Sequence, residues 1–221
     1  MEQIKNKTVY FLIDCSGSMY GSRADAVNNA MAQVVSQVFD DIRGTKDATL
    51  NLSFVVLGFT DAHKDKVFEI VPKTALEDFK TWDPIDPEAF NGGTPTGAAL
   101  KKVIDDLQGG AYHGDVDVNA VAPAIILISD GEPNGKDPTY EEMLECAEKG
   151  NPHEVTAFRK ALRVALGISV NDAGRESLKK FGKVSARMER SGIAAYYDCS
   201  EQYASEFAEI LKSVTINASM V

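Results

Sequence analysis

Two aspartates of this chain stand where apolar runs end, each beside small hydroxyl or glycine residues. One run closes as Ile13-Asp14-Cys15-Ser16-Gly17-Ser18, another as Ile128-Ser129-Asp130-Gly131. Carboxylates and alcohols are hard oxygen donors. Two carboxylates brought close together would repel. A divalent cation answers that repulsion, and hydroxyls and waters complete its shell without adding charge. Ser16 and Ser18 alternate with Asp14, and a turn at Gly17 is expected to let all three side chains face one point. The glycine-rich loop Gly92-Gly93-Thr94-Pro95-Thr96-Gly97 offers a further hydroxyl where a helix opens.

This chemistry requires elements that bring the two aspartates together. Thr8 to Ile13 and Ala124 to Ile128 are short, continuous apolar runs rich in β-branched residues, the pattern of strands buried on both faces. Leu50–Phe59, Lys66–Val71, Leu162–Ile168 and Ala194–Tyr197 read as further strands. The short connection before Lys66 suits a hairpin, which makes one of those strands an antiparallel edge. Helical spacing of apolar residues runs over Arg23–Phe39. Pro95–Leu107 also reads as a helix, with Pro95 suited to its first turn. Further helices are expected at Tyr140–Lys149, Glu154–Lys160, Glu176–Phe181 and Tyr203–Ser213. Alternating strands and helices imply an α/β fold with a mainly parallel central sheet and helices on both faces. In such a sheet, ligands bind beyond the carboxyl ends of the strands where strand order reverses, and there Asp14 and Asp130 would meet.

The stretch Asp14-Cys15-Ser16-Gly17-Ser18 resembles the D-x-S-x-S signature of the von Willebrand factor type A (VWA) family, at its metal-ion-dependent adhesion site. That family adds a threonine from a later loop and an aspartate from a strand end before a glycine. Thr94 in GGTPTG and Asp130 in LISDGEP match both. The likeness covers nearly the whole chain, in order. It implies a Rossmann-like VWA fold with Asp14, Ser16 and Ser18 as loop ligands. Thr94 and Asp130 would coordinate directly or through water, and the expected ion is Mg²⁺, with Mn²⁺ or Ca²⁺ as alternatives. Within the family, the build is similar to bacterial TerY-like tellurium-resistance proteins. The segment from Asp130 to Pro152 is longer than a minimal domain of this kind needs. A cap at Asp14 or at Asp130 would each explain one residue and leave the other four unexplained.

Length and composition bound the rest. The chain has 221 residues with 44% hydrophobic content, enough for one sizeable core, and 1–221 reads as a single domain. The formal net charge of -10 argues against nucleic acid or an anionic membrane as partner. No apolar run is long enough to span a bilayer, and no secretory signal is visible. Cys15, Cys146 and Cys199, odd in number and far apart, fit reduced buried thiols and a cytoplasmic setting.

Several enzyme readings fail on the residues. Ser16 stands where a haloacid-dehalogenase phosphatase needs a second aspartate. GGTPTG lacks the Lys-Ser/Thr ending of a P-loop. Asp115, Asp117 and Asn119 imitate the start of a calcium loop, but Ala120 and Ile126 replace its glycine and closing glutamate. His63, His113 and His153 are scattered and read as surface residues. Glu141, Glu142, Glu145 and Glu148 read as a solvated face. Two function classes remain. One is a protein-binding module whose partner supplies a carboxylate to the metal; the TerY likeness points to a stress-response assembly, with a kinase or phosphatase as partner. The alternative is a Mg²⁺-dependent hydrolase of phosphate or ester substrates. The binding module is the stronger reading, because the signature loops supply no histidine or lysine to act as base. Tyr20, Asp61, Glu132 and Asn134 flank the site and would set specificity.

Overall fold

The structure, a computed structural model, describes residues 4–45, 49–108, 120–190, 192–199 and 204–220. His113, Asp115, Asp117, Asn119 and Tyr203 lie outside the described residues. Strand β1 (Lys5–Asp14) is buried without interruption from Val9 to Asp14, which requires cover on both faces. Val9, Phe11 and Ile13 enter one core layer and Tyr10 and Leu12 the other, the two-residue alternation of a strand.

Strand β2 (Leu50–Phe59) runs parallel to β1, with Lys5 opposite Leu50 and Asp14 opposite Phe59. Strand β3 (Val67–Ala75) returns antiparallel along β2 and forms an edge. The chain then crosses β1. Strand β4 (Ala124–Ser129) pairs parallel on its other side, with Ile13 opposite Ile128. Strands β5 (Leu162–Ile168) and β6 (Tyr196–Cys199) continue outward in parallel, giving the order β3-β2-β1-β4-β5-β6. The expected α/β architecture, mainly parallel with one antiparallel edge strand, is what forms. Strand order reverses between β1 and β4, so their carboxyl ends open one crevice.

Each face carries its own helices. Val27 and Met31 of α1 (Ser22–Gln33), Phe39 of α2 (Phe39–Thr45) and Leu211 of the C-terminal helix, Ala204–Met220, share a core with Phe11 and Phe54. The Phe39 and Phe54 ring centroids lie 4.2 Å apart. On the opposite face, α3 (Thr96–Gln108), α4 (Tyr140–Glu145), α5 (Thr156–Lys160) and α6 (Asp172–Phe181) bury Leu100, Val103, Tyr140, Phe158 and Leu178. A short helix α7 (Ala186–Arg190), absent from the sequence reading, precedes β6; the C-terminal helix is α8.

The element boundaries depart from the sequence reading for local reasons. The single helix expected over Arg23–Phe39 is α1, a π-helical turn at Val34–Val38, and α2. The α4 helix begins with a capping box, the Thr139 hydroxyl accepting from the Glu142 amide and the Glu142 carboxylate accepting from the Thr139 amide. Glu142 is therefore more than a solvated side chain. Glu154 lies outside α5, where its carboxylate accepts from the Gly150 amide at 2.7 Å and pairs with Arg159. The long segment after Asp130 packs onto the second face: Tyr140 is buried and its hydroxyl donates to the Ser177 carbonyl at 2.7 Å.

Candidate metal-binding site

The register of the sheet places Asp14 at the end of β1, beside Ser129 at the end of β4, with Asp130 one residue beyond. Both aspartates are buried. One Asp14 oxygen, Oδ1, accepts from the Ser16 amide at 2.8 Å, and the other, Oδ2, accepts from the Ser129 hydroxyl at 2.6 Å. The Ser18 hydroxyl donates to Asp130 Oδ1 at 2.8 Å. Ser16 Oγ lies 3.1 Å from Ser18 Oγ, within hydrogen-bond distance. Four of the five sequence-selected residues thus form one hydrogen-bonded group whose hydroxyls keep lone pairs.

The loop that carries Thr94 joins this group through backbone bonds of its neighbours, Asn91 and Gly92. The Gly17 amide donates to the Gly92 carbonyl at 2.9 Å, and the Asn91 amide donates to the Cys15 carbonyl at 2.9 Å. These bonds lay the glycine-rich loop against the signature loop. Asn134 then clamps Thr94 from the far side. Its side-chain oxygen accepts from the Thr94 backbone amide at 2.8 Å, and its backbone N–H donates to the Thr94 carbonyl at 3.0 Å. The bonds that join the two loops run through Gly17 and Gly92 rather than through the Thr94 hydroxyl. Thr96 is buried at the start of α3.

Two residues that the sequence reading passed over complete the arrangement. Ser129 bridges the strands, donating to Asp14 and accepting from the Gly131 amide at 3.2 Å. Arg23 reaches over the signature loop: its Nη1 donates to the Ser18 carbonyl at 2.8 Å and forms an ion pair with Asp130 Oδ2. A usable signal existed for Arg23. It lies in the first turn of α1, where the helix end is partially positive and a cation is disfavoured unless an anion meets it.

Electrostatics correct the sequence argument. Burial, more than the proximity of Asp130, raises the Asp14 carboxyl to about 6; the Ser129 and Ser16 hydrogen bonds oppose the rise, and the Asp130 charge adds a smaller push. Like-charge repulsion is therefore secondary to loss of solvent. The turn expected at Gly17 forms, as a 3-10 turn over Gly17–Met19, with no positive φ at Gly17 and only ordinary contacts for an added Cβ. Gly92 has φ +77°, and a Cβ would fall 2.3 Å from Asp61 Oδ1 and 2.7 Å from the Ala62 amide nitrogen.

The flanking residues divide. Tyr20 is exposed, at 64%. Asp61 accepts from the Gly93 amide, so with Asn134 it braces the loop rather than facing outward alone. Glu132 accepts from Asn171 at 3.3 Å. Cys15 is fully buried, its thiol raised to about 12 by burial and by Asp14, and all three cysteines are free and buried. His63 and His153 are exposed, as expected.

The oxygens fit a hard divalent cation. Among the described residues no group of three or more His, Cys, Asp or Glu side chains converges, so an ion here would rest on two carboxylates, alcohols and water.

An open, mostly parallel α/β sheet with an oxygen-rich crevice at its switch point defines the class. The family model of the von Willebrand factor type A domain matches residues 8–190, and the chain belongs to that family. Inter-alpha-trypsin inhibitor heavy chain H2 of Sus scrofa is 32% identical over 130 residues, 58% of this chain and 12% of its own length. Among solved structures, the pilus adhesin SpaC of Lactobacillus rhamnosus GG superposes with TM-score 0.60 at 16% identity, covering 96% of this chain and 31% of its own. The vWF domain of the type V pili tip protein Mfa5 of Porphyromonas gingivalis gives 0.53 at 13% identity, covering 100% and 98%. Proximal thread matrix protein 1 of the mussel byssus, with a zinc-occupied MIDAS motif, gives 0.52 at 15% identity, covering 96% and 46%. This chain thus spans about an eighth of the inhibitor heavy chain and under a third of the adhesin.

Two predictions follow from the geometry. Gly92→Ala should lower the melting temperature by several degrees, while Gly17→Ala should stay within about 0.5 kcal/mol of the wild type. Equal effects in thermal melts would contradict the loop analysis. The second concerns Asp14, whose folded-state value lies above its unfolded one. The native metal-free protein is therefore penalised above about pH 6, and the penalty fades as pH falls through 6 toward the ordinary carboxylate range. In Asp14→Asn the amide oxygen can still accept from Ser16 and the new N–H₂ can donate to the Ser129 oxygen. In EDTA at pH 8 it should be more stable by on the order of 1 kcal/mol, with the advantage shrinking at pH 5. A pH-independent difference would contradict burial as the cause.

Proposed function

We propose that this VWA domain is a divalent-cation-dependent protein-binding module, with Asp14, Ser16, Ser18, Thr94 and Asp130 holding the ion. The carrying observation is the continuous hydrogen-bonded group from Ser16 through Ser18 to Asp130, beside the buried Asp14 carboxylate at the switch point of the sheet. A bound ion would offer a coordination position to a carboxylate from a partner protein. Mg²⁺ is the first candidate, since the donors are all hard oxygens, with Mn²⁺ and Ca²⁺ next. The zinc in the MIDAS motif of the mussel protein adds Zn²⁺ to the ions worth testing. The whole chain, 1–221, is proposed as one VWA unit, because α8 packs against α1 and shares its core.

Exposed Tyr20, next to the signature loop, is the side chain best placed to meet a partner at the rim. The TerY likeness supports placing the module in a bacterial stress or tellurite-resistance system, with a kinase or phosphatase as partner. The three free, buried cysteines support a cytoplasmic setting. No described helix is long and apolar enough to cross a membrane, and the net charge of -10 disfavours nucleic acid. The hydrolase reading has less support: among the described residues, no histidine or lysine side chain hydrogen-bonds to any of the five proposed ligands, which leaves no evident base.

Calorimetric titration tests the proposal directly. Mg²⁺ or Mn²⁺ should bind at one site, and an ion at about 100 times its dissociation constant should add about 2.7 kcal/mol, raising the melting temperature by several degrees. Ser18→Ala should weaken binding and abolish partner capture. Tyr20→Ala should alter capture and leave ion affinity intact. Absence of binding by Mg²⁺, Mn²⁺, Ca²⁺ and Zn²⁺, or a partner held equally well in EDTA, would refute the proposal.

A further inference from the structure

We infer that Arg23 is a tethered counter-cation of the crevice: its guanidinium neutralises Asp130 in the metal-free protein and thereby limits how tightly a free divalent cation is held. The inference rests on the metal-binding reading above and deepens it.

The two carboxylates are treated differently by their surroundings. Among the described residues, the hydrogen-bond donors to Asp14 are neutral, Ser16 and Ser129. Asp130 receives one neutral bond, from Ser18, and one cation, Arg23. The Asp130 side chain is almost wholly buried, 1% exposed, and that of Arg23 is 23% exposed. Solvent therefore screens this pair less than it would a surface ion pair.

The placement of Arg23 indicates a purpose for that charge. Arg23 is the second residue of α1, at the end of the helix that repels cations, and it is there that it reaches across the signature loop. Its Nη1 also holds the Ser18 carbonyl, so one group joins the loop to the residue following β4. With Arg23 present, the crevice carries two negative charges and one positive. An entering divalent ion meets a net charge of about -1 where the carboxylates alone would give about -2. A unit positive charge within a few ångströms, in a partly solvated crevice, weakens binding of a divalent ion by on the order of tenfold. The same charge keeps the empty crevice from being a pair of uncompensated buried anions. Arg23 thus trades cation affinity for stability of the metal-free state, leaving the ion exchangeable.

The test is Mg²⁺ titration by calorimetry, with thermal melts in EDTA and in saturating Mg²⁺, on wild type, Arg23→Gln and Arg23→Lys. Arg23→Gln should be less stable in EDTA, bind Mg²⁺ about tenfold more tightly, and show a larger metal-induced rise in melting temperature. Arg23→Lys keeps the charge and should stay within about threefold of wild-type affinity. An Arg23→Gln protein unfolded in EDTA but folded in Mg²⁺ supports the inference too, because the ion then replaces the guanidinium. One unfolded in both conditions overturns it, since Arg23 is then a brace that no cation replaces. Unchanged or weaker Mg²⁺ binding by folded Arg23→Gln, beside a wild type that binds, overturns the inference and leaves the metal reading standing. If neither wild type nor variant binds any divalent ion, the metal reading itself has failed.

Discussion

The site depends on one constraint: Asp14 is a carboxylate with no access to water, held at the end of the central strand of the sheet. Burial of a charged group is unfavourable unless hydrogen bonds or a counter-charge meet it. The structure supplies neutral donors from Ser16 and Ser129, and they offset only part of the desolvation, as the raised pKa of about 6 shows. Everything around the crevice can be understood as an answer to that remaining cost. Asp130, close by, adds to it and is itself met by Ser18 and Arg23.

The fold makes this placement unavoidable. Six strands in the order β3-β2-β1-β4-β5-β6 put β1 and β4 side by side, and the register that sets Ile13 opposite Ile128 brings the Ser129 hydroxyl within hydrogen-bond reach of Asp14. Helices on both faces exclude solvent from β1 along its last six residues, Val9 to Asp14. The loop containing Thr94 is then fastened from two sides, by Gly17 through Gly92 and by Asn134. Rigid support of this kind suits a site that recognises an ion and a partner group, because little ordering remains to be done on binding. The VWA family to which the chain belongs shares this architecture with proteins as different in name as a pilus adhesin and a byssal matrix protein. The fold therefore specifies the location of a site more closely than its ligand.

Much of this was legible in the sequence. Continuous apolar runs such as Ala124–Ile128 announce strands buried on both faces, and the polar residues that end them mark the crevice. The hairpin edge at β3 followed from the short connection before it. What escaped the sequence depended on three-dimensional neighbours. Ser129 looked like the tail of a strand until the register set it against Asp14. Arg23 looked like an ordinary helix residue, although a cation in a first turn hints at an anion nearby. The turn at Gly17 was legible inside the signature, whereas the positive φ at Gly92 was not, because only the nearby Asp61 and Ala62 reveal why that position takes glycine. Asn134 is exposed at the rim, as read, and its bonds to the Thr94 backbone add a role that needs three-dimensional neighbours to see.

The most direct test of the central claim is to locate the ion. Crystals of the protein grown with Mn²⁺ should give, in data collected at the manganese absorption edge, one anomalous peak among the oxygens of Asp14, Ser16 and Ser18, and the peak should vanish in Asp14→Asn. A peak elsewhere, or none in the crevice at saturating Mn²⁺, would contradict the account.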